Sequence, residues 1–500
     1  MIPKKSKKTL EFFVLSAALA VLFLAVYSPH FSNPYPIHID EWQHIGEIIS
    51  ASEGKANWNP YFWEKHFDME FFFHEFWAPF ALILGRQGFI MLYSFLPAVF
   101  SLLSGLALFF LVKNATGRFR DGLFAVLVFA SLKSNLNIMG LSYFTPMTMA
   151  IPFIFLFLLF FMKGVSENSR KNLLFAGMSI IATLLIHPPS ATILIPVIII
   201  YPLISREFFM KNKKQIFIFW GLIALVFTAS FFVKINGKAA INLLSENLIF
   251  KLGWTGYELK YFLPFLFSIP ATLLAVFGIY RCFEKQKEKI FVVFALITTG
   301  ISMLFHQFEI SLLAPYQRVI YYALLSLVPL SAIALSELCE MLSSFLEKGG
   351  DRKSSVIIAY SCAAIVLALI FFLEYSSSGQ SLDYSSPILS ENSKNAMIWV
   401  SKRYPKDEIV MAPIFTTSAV YPLSGNRVQS LLPAQLGTFD RQEERISDAL
   451  LFYNSTNCAE QASILQKWNA TIVLSEFSLN CLGSPEYSVG YFVYSQKKDL

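Results

Sequence analysis

The stretch His38-Ile39-Asp40-Glu41-Trp42-Gln43-His44 stands just after the first apolar run of the chain, which extends from Leu10 to Tyr27. Two adjacent carboxylates are flanked here by two imidazoles. A charged side chain inside a bilayer costs about 2.5–3.5 kcal/mol or more, so an acidic pair at the membrane edge needs water, a cation, a hydrogen-bonding partner or a catalytic role. The stretch therefore predicts proton-transfer or metal chemistry directed at something carried by lipid.

The composition places the rest of the chain in a membrane. Of 500 residues, 55% are hydrophobic, 15% are charged and 51 are Phe, which is more apolar surface than a water-soluble core can bury. Apolar runs near the roughly 20 residues needed to cross the hydrocarbon recur along the sequence. The predicted class is a polytopic helical membrane protein. The net charge of +6 does not indicate nucleic acid, because Lys and Arg cluster in short loops between apolar runs.

We predict about eleven transmembrane helices. After the run Leu10–Tyr27, the expected spans lie at roughly 88–112, 121–134, 148–162, 173–186, 190–204, 216–233, 261–280, 290–305, 319–336 and 356–373. Basic residues recur in alternate connectors, which predicts a cytoplasmic N-terminus and an extracytoplasmic C-terminus in the cell membrane. The first run is expected to be retained rather than cleaved as a signal peptide, since so many spans follow it.

Three parts are predicted along the chain. A transmembrane module covers residues 1–375, with a first outer loop over about 28–76 that carries several Trp and lies along the membrane interface. A linker rich in Ser occupies 376–390. In the last part, 391–500, helix-like pieces at about 391–403, 441–453 and 457–467 alternate with short β-rich pieces, which predicts a small extracytoplasmic α/β domain. Cys458 and Cys481 both fall there, and the sequence leaves open whether they form a disulfide.

The acidic pair has two interpretations. Asp40 is either a general base toward an acceptor hydroxyl, with Glu41 tuning its proton affinity, or the N-cap of a helix that starts at Glu41. The segment also matches the second half of the zinc motif His-Glu-x-x-His, but Asp40 replaces the first His, which argues against a metalloprotease. Asp40 and His44, one helical turn apart, remain candidate ligands for one divalent cation.

Three further positions carry candidate chemistry at the outer ends of spans. Arg318, in the segment Pro315–Tyr322, is placed either to hold a lipid phosphate with two parallel hydrogen bonds or only to reach the headgroups. His187 precedes Pro188-Pro189 and either faces the substrate or belongs to a turn that ends a helix. Glu309, near His306, is a second acid or a solvated loop residue.

The His38-x-Asp40-Glu41-x-x-His44 stretch directly after the first span resembles the corresponding loop of the GT-C glycosyltransferases. This superfamily includes protein mannosyltransferases, aminoarabinose transferases of lipid A and oligosaccharyltransferases. The segment from Arg318 to Tyr322 is similar to the Arg-aromatic-x-x-Tyr entry near the donor phosphate in that family. His187-Pro188 and the acid Glu309 also have counterparts there.

The resemblance implies roles for these residues. Asp40 would be the catalytic base or a metal ligand with Glu41 as its partner, while Arg318, Tyr322, His187 and Glu309 would bind substrate. The chain departs from the oligosaccharyltransferases in lacking their Trp-Trp-Asp motif, since the last part holds only Trp399 and Trp468. This absence argues against transfer to Asn sequons.

The predicted function is an inverting hexosyl- or pentosyltransferase. It would take one sugar from a polyprenyl-phosphate carrier, within the membrane lipid, and pass it to an acceptor hydroxyl on the outer face. A glycan polymerase or ligase, or an oligosaccharyltransferase-like enzyme, would share the donor chemistry. From another class, a lipid or solute transporter is the alternative, although repeated halves and charges within spans are not evident. A divalent cation is the one cofactor that the resemblance leaves open, and no nucleic acid partner is expected.

Overall fold

The computed structural model describes residues 4–56, 58–64, 70–132, 134, 139–234, 249–251, 262–349, 351–378, 388–432 and 441–496. Its internal contacts divide the chain into two compact units. The first unit comprises residues 1–29, 96–142 and 146–383, and the second comprises 30–95, 143–145 and 384–500. The predicted linker falls partly outside the described residues, which omit 379–387, so the predicted domain boundary stays a prediction.

The helices, in chain order, are α1 (Lys4–Tyr27), α2 (Ile39–Ser52), α3 (Phe71–Tyr93), α4 (Leu96–Thr116), α5 (Phe119–Ala130), α6 (Pro146–Ser166), α7 (Arg170–Ile186), α8 (Pro188–Thr192), α9 (Ile195–Ile204), α10 (Arg206–Lys234), α11 (Leu263–Leu266), α12 (Ile269–Phe283), α13 (Lys289–Phe308), α14 (Tyr316–Glu347), α15 (Arg352–Ser378), α16 (Glu391–Arg403), α17 (Thr417–Ser424), α18 (Gln442–Asn454) and α19 (Cys458–Trp468). The strands are β1 (Ile249–Lys251), β2 (Ile310–Leu312), β3 (Ile409–Met411), β4 (Arg427–Val428), β5 (Ile472–Ser475) and β6 (Phe492–Ser495).

The helical content confirms a multi-pass membrane protein. Among the described residues, seven helical segments are long and apolar enough to cross a bilayer. They are Lys8–His30, Phe71–Tyr93, Leu96–Thr116, Pro146–Ser166, Lys289–Phe308, Tyr316–Glu347 and Arg352–Leu373. Shorter apolar helices lie at Pro188–Ile204 and Ile269–Phe283. The count of about eleven spans stays a prediction.

One predicted span has different boundaries in the structure. We predicted a single apolar helix over roughly 88–112, but α3 ends at Tyr93 and α4 begins at Leu96. Pro97 stands in the first turn of α4, where its missing N–H costs no helical hydrogen bond, and it cannot continue the preceding helix. Ser94 ends α3 by donating from Oγ to the carbonyl of Met91 (2.9 Å). Apolar runs alone do not show this break.

Helix α14 is the central element of the first unit. All of its residues from Val319 to Glu337 are buried, and α5, α12, α13 and α15 pack around it. A helix that is apolar on every side is the expected centre of a bundle. Gly278 of α12 approaches it so closely that a Cβ there would lie 2.2 Å from the carbonyl oxygen of Leu330.

The basic connectors that we predicted to share one side meet at one end of the first unit. Glu337 of α14 pairs with Arg281, with Lys285 (2.9 Å) and, at 3.7 Å, with Arg118. Glu340, one turn further along α14, pairs with Arg118 at 3.0 Å. The ends of α5, α12 and α14 therefore lie together, as the alternation of charge predicted. The side of the membrane on which they lie stays a prediction.

The second unit contains a four-stranded mixed sheet in the order β4-β3-β5-β6. Strand β3 is parallel to β4 and β5, whereas β6 is antiparallel to β5. Helices α18 and α19 supply Phe452 and Leu465 to a core shared with Val473 of β5. A disulfide joins Cys458 to Cys481, so the pairing that the sequence left open is made. The small α/β region predicted for the C-terminal part is confirmed.

The first outer loop is part of this second unit and packs on its C-terminal region. Gln43 of α2 donates to the carbonyl of Leu432 (2.8 Å). The Tyr61 hydroxyl lies 2.7 Å from the carbonyl of Ser418 and 3.1 Å from that of Trp42. These contacts fix α2, and with it the acidic pair, on the scaffold of the second unit.

Candidate active site

Helix α2 begins with a capping box formed by His38 and Glu41. The Nδ1 atom of His38 accepts a hydrogen bond from the backbone N–H of Asp40 (3.0 Å), and Glu41 accepts from the backbone N–H of His38 (3.1 Å). Our interpretation of Asp40 as the N-cap is therefore wrong, because the helix starts at Ile39 and its cap is His38. The Asp40 carboxylate is left out of the cap.

The carboxylate of Glu41 is fully buried and accepts three backbone hydrogen bonds. One oxygen accepts from Ile37 (3.0 Å) and His38 (3.1 Å), and the other accepts from Phe144 (2.8 Å). Burial raises the pKa of Glu41 to about 7 although these N–H groups act in the opposite direction. Glu41 thus joins the start of α2 to the segment 143–145, and its oxygens are occupied by the backbone.

Asp40 lies next to this anchor. Its side chain is 11% exposed, and one of its oxygens lies 3.7 Å from Nδ1 of His38, beyond hydrogen-bonding distance. The His38 ring contacts Tyr143 with centroids 4.9 Å apart. The structure therefore distinguishes two adjacent buried acids, since Glu41 is fully buried and held by the backbone whereas the Asp40 side chain keeps 11% exposure.

His44 belongs to a second group of ionisable side chains in the same unit. Its Nδ1 lies 2.9 Å from Nε2 of His74 and 3.8 Å from a carboxylate oxygen of Glu70. Both imidazoles are buried, and one ligand atom from each residue lies within 4.8 Å of the others, close enough to share a metal ion. This group does not include Asp40, so the predicted sharing of a cation by Asp40 and His44 stays a prediction.

In the first unit, His187 and Tyr322 are brought together by Ser190. The Ser190 hydroxyl lies 2.7 Å from His187 Nδ1 and 2.5 Å from the Tyr322 hydroxyl, which is itself 3.3 Å from the same nitrogen. Burial, reinforced by the positive charge of Arg318, lowers the pKa of His187 to about 3, so the imidazole is neutral. The Ser190 and Tyr322 hydroxyls both lie within hydrogen-bonding distance of Nδ1.

Arg318 and Glu309 occupy different surroundings in that unit. Arg318 lies in the first turn of α14 and is partly buried. Glu309 is exposed and ends α13 in a left-handed backbone conformation, with φ of 57°. The neighbouring His306 lies 3.0 Å from the hydroxyl of Tyr316 through Nε2. His187 and Tyr322 lie close together, and the charge of Arg318 is near enough to act on the pKa of His187. The roles predicted for all of these residues stay predictions.

Sequence reasoning missed Glu70, His74, Ser190 and the amide of Phe144. Glu70 and His74 are four residues apart at the start of α3, a spacing that places both on one helix face. That spacing was available as a signal, but their proximity to His44 was not. Ser190 has no distinctive local pattern, and only the folded chain brings Ser190 and the Phe144 amide to their partners.

The chain is similar in fold to solved membrane proteins of the GT-C superfamily. ArnT from Cupriavidus metallidurans bound to undecaprenyl phosphate aligns with a TM-score of 0.62 at 10% identity, covering 97% of this chain and 97% of that chain. The archaeal oligosaccharyltransferase AglB from Archaeoglobus fulgidus, in complex with an inhibitory peptide and a dolichol-phosphate, gives 0.59 at 14% identity over 94% of this chain and 70% of that chain.

A further structure of the Archaeoglobus fulgidus oligosaccharyltransferase, in complex with Zn and sulfate, gives a TM-score of 0.57 at 13% identity, covering 92% of this chain and 68% of that chain. At these identities the likeness establishes the GT-C fold. No curated protein matches the chain in sequence. A model of the DUF6541 family, described as a family of unknown function, matches residues 72–456. The chain therefore belongs to the DUF6541 family, and its fold is that of the GT-C superfamily.

Proposed function

We propose that the protein is a membrane glycosyltransferase that moves one sugar from a polyprenyl-phosphate carrier to an acceptor hydroxyl with inversion at the anomeric carbon. The observation that carries the proposal is the difference within the acidic pair: Glu41 is held by three backbone N–H groups, and Asp40, whose side chain is 11% exposed, stands beside it outside the helix cap. A base whose position is fixed by a buried neighbour is what a direct displacement requires.

The proposed reaction is a single displacement. The acceptor oxygen forms a bond to the anomeric carbon while the bond from that carbon to the phosphate oxygen breaks, and the electron pair of the broken bond stays on the phosphate. Asp40 takes the proton of the acceptor hydroxyl, and Glu41 holds the helix that carries Asp40. Because the sugar is attacked from the face opposite the phosphate, the configuration inverts.

Arg318 would stabilise the phosphate that leaves. A guanidinium presents parallel N–H donors that match phosphate oxygens, and removal of a fixed charge-stabilising donor typically lowers the rate by roughly 10²–10³-fold. The neutral His187 and Tyr322 would supply hydrogen bonds near the same guanidinium. Glu309 is proposed as a further substrate contact.

The structural relatives support the carrier class. One was solved with undecaprenyl phosphate and another with a dolichol-phosphate, and both ligands are polyprenyl phosphates. A relative was also solved with Zn. A bound divalent ion would supply a fixed positive charge, and the steps proposed above use only the side chains of this chain.

The test uses the purified full-length protein in detergent with a panel of polyprenyl-phosphate sugars. We expect wild type to release polyprenyl phosphate in the presence of an acceptor. Asp40→Asn should lower the rate by roughly 10²–10⁴-fold, the usual contribution of a general base, and Arg318→Met by a similar factor. Glu47→Gln, on the same helix, and Arg352→Met, whose side chain is 81% exposed, are the matched controls.

Two outcomes would contradict this proposal. Release that is unchanged in Asp40→Asn would remove Asp40 as the base. The transporter alternative would be favoured if no donor in the panel releases its sugar and if the protein, placed in vesicles, moves intact carriers across the membrane.

A further inference from the structure

The two helices α2 and α3 place three metal-ligating side chains against one another. His44 comes from the second turn of α2, while Glu70 and His74 come from the start of α3. His44 and His74 are only 3% and 2% exposed. The glutamate stands at the N-cap position of α3 but makes no capping hydrogen bond with its side chain. One of its carboxylate oxygens lies 3.8 Å from Nδ1 of His44.

The distances within this group fit a shared ion after small shifts. Two nitrogens bound to one tetrahedral ion at about 2.0–2.1 Å are about 3.3 Å apart, and here Nδ1 of His44 and Nε2 of His74 are 2.9 Å apart. The Glu70 oxygen lies 3.8 Å from the His44 nitrogen. No ligand atom of the three is more than 4.8 Å from another.

The donor set selects the class of ion. Two imidazoles and one carboxylate suit zinc and neighbouring first-row transition metals, and this set is found with an open fourth position in zinc enzymes. Magnesium and calcium prefer oxygen ligands in octahedral or larger shells, which a pair of buried imidazoles does not provide.

We propose that His44, Glu70 and His74 bind one divalent transition-metal ion of the zinc class. The ion joins α2, the helix that carries Asp40 at its first turn, to α3. Its fourth coordination position is left for water or a substrate oxygen. This proposal does not rest on the proposed glycosyl transfer, because metal binding is measured without substrate.

The test begins with full-length protein that has been stripped of metal by a chelator and titrated with Co²⁺ as a spectroscopic probe for zinc. We expect one equivalent to bind, to give visible bands typical of a four- or five-coordinate site, and to be displaced by Zn²⁺ but not by Mg²⁺. Zinc should also raise the midpoint of thermal unfolding. His74→Ala and Glu70→Gln should lower the affinity at least tenfold, whereas His306→Ala, outside the group, should leave it unchanged.

His74→Cys separates lost ligation from misfolding. A thiolate is also a zinc ligand, so this variant should bind Co²⁺ and add an intense near-ultraviolet band from sulfur-to-cobalt charge transfer, which wild type lacks. The proposal is overturned if wild type binds no Co²⁺, if Mg²⁺ displaces it, or if the visible spectrum is the same in wild type and His74→Ala. A His74→Cys protein that folds and binds Co²⁺ without the charge-transfer band would equally overturn it.

Discussion

At the scale of single residues, Asp40 and Glu41 show how adjacent acids acquire different chemistry. Both are carboxylates at the start of one helix, yet only Glu41 receives the amides of Ile37, His38 and Phe144. An acid that is buried and accepts three N–H bonds is suited to hold a backbone, because it has little capacity left for a substrate. The side chain of its neighbour Asp40 is 11% exposed, and the position of that carboxylate depends on Glu41.

The raised pKa of Glu41 predicts a pH dependence of stability. Its pKa of about 7 in the folded protein lies above the ordinary value of 4.5, so folding favours the protonated form. The contribution of Glu41 to the free energy of unfolding should therefore be greatest below about pH 4.5. It should decrease as the pH rises to about 7, by at most about 3 kcal/mol. Thermal unfolding at several pH values, compared with Glu41→Gln, measures this contribution.

In Glu41→Gln the contribution of this group disappears, so the difference in midpoint between the two proteins should change with pH. The variant also replaces one acceptor oxygen by an NH₂ group that faces N–H donors, which should destabilise it by about 1–3 kcal/mol. A pH-independent difference between wild type and Glu41→Gln would show that Glu41 does not titrate in this range.

At the scale of the elements, the contact between α12 and α14 depends on a missing side chain. Gly278 lets the two helices approach until a Cβ would be 2.2 Å from the Leu330 carbonyl oxygen. Because that atom belongs to the backbone of a buried helix, it cannot rotate away as a side chain would. The close packing around α14 thus includes a position that tolerates only glycine.

We expect Gly278→Ala to lower the free energy of unfolding by about 1–3 kcal/mol, the usual cost of overpacking a core. Gly300→Ala on α13 is the matched control, since no atom lies within 4 Å of the position of its Cβ. That substitution should be neutral or stabilise by up to about 1 kcal/mol through helix propensity. Differential scanning fluorimetry in detergent compares the two, and equal midpoints would contradict the packing argument.

Most of the membrane helices were predictable, because their length and apolar character identify them. Three helices of the C-terminal region were predictable as well. The predicted pieces at 391–403, 441–453 and 457–467 correspond to α16, α18 and α19 within one residue at each end. Helix α3 was missed over most of its length because His74, Glu75 and Arg86 dilute its apolar character. Helix α17 was missed because Pro422 lies inside it, and its place depends on tertiary contacts such as the one from Tyr61.

At the scale of the whole molecule, the charge alternation along the sequence predicted which connectors share one end of the first unit. Arg118, Arg281 and Lys285 do meet there, on Glu337. The positive charges were predictable from the loops, but the acid that pairs with them was not, because Glu337 lies within a long apolar helix. Contacts distant in sequence, such as His44 with His74 or Glu41 with Phe144, are likewise set by the fold and not by a local pattern.

The ion pairs of Glu337 with Arg118, Arg281 and Lys285 predict that two substitutions on α14 change stability by different amounts. Glu337→Gln should lower the free energy of unfolding by about 1–3 kcal/mol, because its nearly buried carboxylate, 6% exposed, faces three cations, all of them partly exposed. Glu347→Gln removes a charge that is 46% exposed and 3.8 Å from Arg352, and should change stability by less than about 0.5 kcal/mol. Thermal unfolding in detergent compares the variants, and equal losses would show that the cluster adds no specific stability.

The hydrogen bond between Glu41 and the Phe144 amide joins residues 103 positions apart. A growing chain inserts from its N-terminus, so the carboxylate is made long before the amide that completes its set of donors. During synthesis, the start of α2 can reach its final geometry only after three further helices, α3, α4 and α5, have been made. The proposed catalytic base can therefore become competent only after the translation of Phe144, although the central helix α14 has not yet been made at that stage.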